Sequence, residues 1–181
     1  MKTNPRLTPL LAVRGAERAV EFYIHALGAR EIVRYVNKEQ DTLSHADLAV
    51  GDAIFSVTEE ARAWNSDAPP SLGGSPVVLQ LRVDHADALF ESMCRAGATV
   101  VFPLQTFCGE RMARVRDPFG HLWILIERIE DLSHEEIQKR RDALFAQLAA
   151  MRPSSLAEPH ASPRTTKEAE TIQPDAPPGK D

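Results

Sequence analysis

One pattern constrains this chain more than any other: the same succession of apolar periodicities occurs twice. The strand-like LTPLLAV is followed by the helical GAERAVEFYIHALG, in which Ala19, Val20, Tyr23 and Leu27 fall near helical spacing and Gly28 is a stop. Three strand-like pieces come next, AREIVRYV, TLSHADLAV and AIFSVTE, with VGDA as a turn. The second pass opens on PVVLQLRV and continues with the helical DHADALFESMCRAG, where Ala86, Leu89, Phe90 and Met93 face inward and Gly97 is the stop. It closes with TVVFPLQ, RMARVR and HLWILIER, with DPFG as a turn. ALGARE and RAGATV occupy matching places after the two helices, and the Pro- and Gly-bearing EEARAWNSDAPPSLGGS joins the halves. The order is βαβββ twice, an α+β chain with module one over about residues 5–60, a linker over about 61–75 and module two over about 76–130.

A short curved sheet with one helix on its back has an open face and exposed edges. Two such units side by side cover edges and enclose a cavity, a cupped mixed sheet of the kind in which small-molecule sites form. In DPFG, Asp117 suits the first turn position, Pro118 fixes φ at the second and Gly120 closes the turn. Alternation then sends His121, Trp123 and Leu125 to the helix side and Leu122, Ile124 and Ile126 to the cup.

Beyond the repeat, LSHEEIQKRRDALFAQLAAM reads as a helix within residues 131–152, with Ser133 as its cap and Ile137, Leu144, Phe145 and Leu148 as an apolar stripe. That stripe packs on its own domain or, alternatively, on a second subunit. Residues 153–181 carry almost no apolar side chains and read as a disordered tail. A net charge of −5 supplies no basic field for nucleic acid. Runs such as VVLQLRV are too short to span a bilayer, and the first residues lack a signal-peptide core, so the expectation is a cytoplasmic protein without membrane contact. Cys94 and Cys108 stand in unrelated contexts, which points away from a disulfide framework or a structural zinc site.

The segments EFYIHALGARE, HADLAVGDAIF, SLGGSPVVLQLRVDHADALFESMCRAGATVVFPLQ and GERMARVRDPFGHLWIL together resemble the vicinal oxygen chelate superfamily, which includes glyoxalase I, extradiol dioxygenases and the fosfomycin and bleomycin resistance proteins. More narrowly they resemble its PhnB-like branch, over about residues 7–130. The resemblance implies paired βαβββ modules forming a cupped sheet, commonly assembled as a homodimer. In metal-dependent relatives one divalent ion is held by His, Glu or Gln, one from the first and one from the last strand of each module. The matching positions here are about Thr8, Ser56, Val78 and Ile124. None is an imidazole or carboxylate, so the resemblance carries no metal set across. Gln80, two residues from Val78, is the one amide nearby.

His45, on a strand near the expected cup, is the candidate for acid, base or ligand chemistry; the alternative is a hydrogen-bonded cavity residue. Phe107 is placed to stack on a flat ligand, and Arg82, Arg111 and Arg114 to pair with an anionic group, or else with solvent and neighbouring carboxylates. Cys108 and Met112 stand where relatives in this branch often carry further aromatics, so the pocket is altered. Trp64 reads as a plug between the modules or, alternatively, as a lid aromatic, and His121 as structural. The candidate ligand-binding set is therefore Thr8, His45, Ser56, Gln80, Arg82, Phe107, Arg111, Arg114 and Ile124, with no cofactor. These residues point to a metal-independent small-molecule binding protein that sequesters a toxic metabolite or antibiotic. The alternative is a glyoxalase-like lyase or isomerase, or a dioxygenase, with one divalent metal ion whose ligands include His45 and Gln80.

Overall fold

The computed structural model describes residues 6–39 and 42–150. Module one runs β1 (Leu10–Val13), α1 (Ala16–Leu27), β2 (Arg30–Asn37), β3 (Thr42–Val50) and β4 (Ala53–Glu59). Module two runs β5 (Val78–Arg82), α3 (Ala86–Arg95), β6 (Thr99–Phe107), β7 (Glu110–Arg116) and β8 (Leu122–Arg128). Between them the linker forms a short 3-10 turn (Arg62–Trp64) and a single helical turn, α2 (Pro69–Leu72), which opens on Pro69, a residue suited to a first helical turn. α4 follows over His134–Ala150 and continues past the compact unit, which ends at Asp142. The disordered tail expected over residues 153–181 lies outside the described residues.

Each module is one four-stranded mixed sheet, in the orders β1-β4-β3-β2 and β5-β8-β7-β6. In each the first strand pairs parallel with the last and the other contacts are antiparallel. The two expected βαβββ modules are thus two four-stranded mixed sheets. Their helix-facing sides share one core: Leu11, Val13 and Val57 from module one and Leu81, Val115 and Leu125 from module two join Tyr23 of α1 and Met93 of α3. Alternation is the reason, because Leu11 and Val13 are buried while Leu10, one residue earlier, stays 54% exposed on the opposite, open face.

The seam between the modules is the DPFGH turn. Asp117, 3% exposed, accepts hydrogen bonds at Oδ2 from Tyr23 Oη (2.7 Å) and Trp123 Nε1 (2.9 Å), and at Oδ1 from the backbone N–H groups of Phe119 (2.9 Å) and His121 (3.0 Å). The Tyr23 hydroxyl is held well above its usual pKa, by burial first and then by the Asp117 charge, so it remains a donor. His121 Nε2 lies 3.0 Å from the Ala12 carbonyl of β1. The rings of Tyr23, Phe55 and Trp123 pack edge to face or tilted around this point, with centroids 5.2–5.7 Å apart. The helices are capped from the sheets. Glu59, at the end of β4, accepts from Gly15 N and Ala16 N, and Glu127 of β8 accepts from Ala86 N.

One expectation fails here. Trp64 is 84% exposed and plugs nothing, because the 3-10 turn holds it on the surface. No residue of α4 is buried; Ile137 is half-buried, and Phe145 and Leu148 are 57% and 51% exposed. Among the described residues no helix is long and apolar enough to cross a membrane.

Candidate functional site

The open faces hold most of the candidate residues. On module one, β3 and β4 present a polar row. Cross-strand pairing puts Asp47 opposite Ser56 and Tyr35 opposite His45, so all four point to the same side. Ser56 Oγ donates to Asp47 Oδ1 at 2.6 Å, and His45 Nε2 lies 2.9 Å from the same oxygen. The Ser56 hydroxyl bond, followed by the His45 bond and charge, holds the Asp47 carboxyl below the usual range, so it is ionised at neutral pH. An ionised carboxylate only accepts, which assigns the proton between them to Nε2. The Tyr35 ring stands 6.0 Å from the imidazole. The carboxylate sits between hydroxyl and imidazole, so no serine nucleophile is activated. The row accepts hydrogen bonds.

On module two the same register holds different chemistry. Gln80 pairs with Ile124 and Arg114 pairs with both Ile124 and Phe102, which places these four on one side. Phe107 joins them through its ring contact with Phe102, centroids 5.6 Å apart. Arg114 makes no hydrogen bond or ion pair within the described residues, whereas the other two candidate arginines are engaged. Arg82 binds Glu110 at 3.0 Å. Arg111 stands an odd number of residues from Arg114 and turns to the helix side, where it grips Asp87 of α3 at 2.7 Å and 3.0 Å. It is not part of the open face.

Of the four metal-equivalent positions, Thr8 lies in the exposed lead-in to β1, Ser56 is 6% exposed, and Val78 and Ile124 face the open side. Val78 and Ile124 have no lone pair to donate, and the Ser56 hydroxyl is engaged by Asp47. Among the described residues no three His, Cys, Asp or Glu side chains stand close enough to hold a metal ion. This donor set does not fit one. His45 and Gln80 belong to separate sheets. Thr8, Val78 and Gln80 do meet, at a cleft of about 860 Å³ whose floor includes Phe55 and Trp123. A second cavity, of about 580 Å³, lies where Cys108 and Glu110 approach Ile137.

Asp47, Tyr35 and Phe102 escaped the sequence reading. The signal for Asp47 was present in TLSHADL, because strand alternation puts His45 and Asp47 on one face.

A model of the Glyoxalase/Bleomycin resistance protein/Dioxygenase superfamily matches residues 6–125. An uncharacterized protein of Mycobacterium bovis is 36% identical over 142 residues, which cover 76% of this chain and 93% of that one. Another, from Mycobacterium tuberculosis, is 36% identical over 142 residues, covering 76% of this chain and 83% of that protein. Among solved structures, TioX from Micromonospora sp. ML1 superposes with a TM-score of 0.56 at 28% identity, covering 69% of this chain and 99% of TioX. A glyoxalase-related enzyme from Fulvimarina pelagi shares the fold at a TM-score of 0.53 and 16% identity, over 69% of this chain and 88% of that one.

Proposed function

The chain belongs to the Glyoxalase/Bleomycin resistance protein/Dioxygenase superfamily, and we propose that within it the protein is a metal-independent small-molecule binding protein of the PhnB-like branch, acting as a cytoplasmic homodimer. The observation that carries this reading is the content of module two's open face. Where a metal-dependent relative has ligands this chain has Val78 and Ile124, and beside Ile124 stands Arg114, a cation with no partner among the described residues. A guanidinium next to Ile124, Phe102 and Phe107 is suited to hold an anionic group while the rings cover an apolar body. Capture without bond chemistry follows, and sequestration of a toxic metabolite or antibiotic is its use, in keeping with the resistance proteins for which the family is named.

The dimer is supported by what the open faces leave uncovered. Leu10, Tyr35, Val78 and Phe102 are 54%, 61%, 36% and 37% exposed, and the helix sides that would bury them are already occupied by the shared core. A second copy, setting its module two beside module one, closes a cup over both faces. Sedimentation velocity at micromolar concentration is expected to give a dimer, and Leu10→Glu a monomer. Metal analysis of the purified protein tests the central statement: a stoichiometry well below one divalent ion per chain is expected, and one tightly bound ion per chain overturns it.

A further inference from the structure

We infer that the two open faces are the two halves of one recognition site whose ligand is a flat amphoteric molecule, with an anionic group for Arg114 and a hydrogen-bond-donating or cationic group for the His45–Asp47 pair. The inference rests on the ligand-binding reading above and on closure of the cup by two chains.

Register carries it. Leu10 faces Ser56 across a parallel pair in module one, as Gln80 faces Ile124 in module two. One strand further, Asp47 faces Ser56 and Arg114 faces Ile124. Asp47 and Arg114 therefore occupy equivalent positions in the two modules with opposite charges. Neither is paired with an oppositely charged Lys, Arg, Asp or Glu: Asp47 is bound only by Ser56 and His45, and Arg114 by nothing within the described residues. Of the other arginines on these sheets, Arg34 is engaged by Glu31 and Glu17, Arg82 by Glu110 and Arg111 by Asp87, whereas Arg116, farther along β7, makes no ion pair among the described residues. Two opposite charges at matching places, neither paired with a charged Lys, Arg, Asp or Glu side chain, mark where a ligand's own charges go.

Spacing sets the size. With β1 beside β5, five strand spacings of about 4.8 Å separate Asp47 from Arg114, roughly 24 Å of sheet, and a half-cylinder of that arc spans about 15 Å. Side chains reaching in about 5 Å from each wall leave a gap near the width of one aromatic ring. The wall residues suit such a ring: Phe102 on one side, Tyr35 on the other and Ile124 between.

The test is isothermal titration of the full-length protein with benzoate, benzylamine and 4-(aminomethyl)benzoate. The amphoteric probe is expected to bind at least tenfold tighter than either single-ended one. Arg114→Gln should weaken benzoate and the amphoteric probe at least tenfold and leave benzylamine unchanged. Asp47→Asn should do the reverse for benzylamine and weaken the amphoteric probe as well, with both variants keeping the wild-type circular dichroism spectrum. An amphoteric probe no tighter than benzoate overturns the inference, as does an Asp47→Asn variant that binds all three like wild type. Arg114-dependent benzoate binding without any gain from the amino group would discard the ligand class and leave the binding function standing. A bound divalent ion in every chain would instead remove the binding reading itself.

Discussion

Replacing Asp117 by asparagine isolates the group on which the two modules depend. The carboxylate, 3% exposed, accepts from two backbone N–H groups at Oδ1 and from Tyr23 and Trp123 at Oδ2. An asparagine keeps one oxygen, and the rigid turn fixes it on the N–H groups of Phe119 and His121. Its NH2 then faces Tyr23 and Trp123. The tyrosine hydroxyl rotates to accept, but the indole N–H only donates and loses its acceptor. An orphaned buried donor costs about 1–3 kcal/mol, and downgrading three charge-assisted hydrogen bonds to neutral ones costs roughly 1 kcal/mol each, so the substitution should destabilise by about 4–6 kcal/mol. That is a large part of the 5–15 kcal/mol typical of a domain. Urea unfolding followed by circular dichroism, with the slope checked for constancy, reads it directly. In a Trp123→Phe background, which lacks the indole N–H, the same substitution should cost at least about 1 kcal/mol less. A loss below about 1 kcal/mol in the wild-type background, or full additivity with Trp123→Phe, would refute the role assigned to this carboxylate.

Three further outcomes can be checked by the same unfolding measurements. Gly120 has φ +95° and a Cβ built there would stand 2.9 Å from the Pro69 Cβ, so Gly120→Ala should destabilise by about 1–3 kcal/mol through backbone strain and displacement of α2; an unchanged midpoint would show that the turn relaxes freely. Glu60 anchors the linker by accepting from Ser71, Ala68 N and Arg14, bonds that hold its pKa near 2 against an ordinary 4.5. Its folded pKa is depressed, so its contribution is present above about 4.5 and is lost as pH falls through about 2; the stability gap between wild type and Glu60→Gln should be full at neutral pH and close towards pH 2. Cys108 and Gly109 form the β6–β7 turn with φ of +46° and +83°, a pairing in which Asn precedes Gly far more comfortably than Cys does, so Cys108→Asn should stabilise by about 0.5–1 kcal/mol, and a loss of stability would mean that the thiol has contacts the turn needs.

What could be read from the chain without coordinates follows from where the controlling interaction lies. TLSHADLAV and AIFSVTE are strands over their full lengths because alternation and the flanking VGDA turn are local signals. β1 starts only at Leu10, not Leu7, since Pro9 offers a carbonyl to Ser56 N but has no N–H to return. β6 and β7 extend to Phe107 and Glu110, beyond the expected TVVFPLQ and RMARVR, because a two-residue turn with cysteine at a left-handed position carries no recognisable signature. Arg111 and Arg114, both expected at an anionic group, part because strand alternation separates residues an odd number apart; Asp87, 24 residues away, completes the separation. Trp64 is an aromatic residue that the 3-10 turn holds on the surface, an outcome set by the linker's path and not by residue type.

The duplication itself gives the strongest separation of architecture from function. Positions that serve the fold are matched between the modules: Val13 and Val83 both pack on the core, and Glu59 and Glu127 both cap the helix of their own module from the end of its last strand. Positions on the open faces are not matched. Leu10 corresponds to Gln80, Ser56 to Ile124 and Asp47 to Arg114. Packing and capping constrain the first group in the same way twice, since each module has the same sheet, the same helix and a share of one core. No such constraint acts on a face that packs against no element among the described residues. Divergence there, extending to a reversal of charge, leaves the fold unaffected and changes only what the face can hold. The isoleucine at 124 and the arginine beside it belong to that divergence, whereas the histidine of the DPFGH turn belongs to the seam.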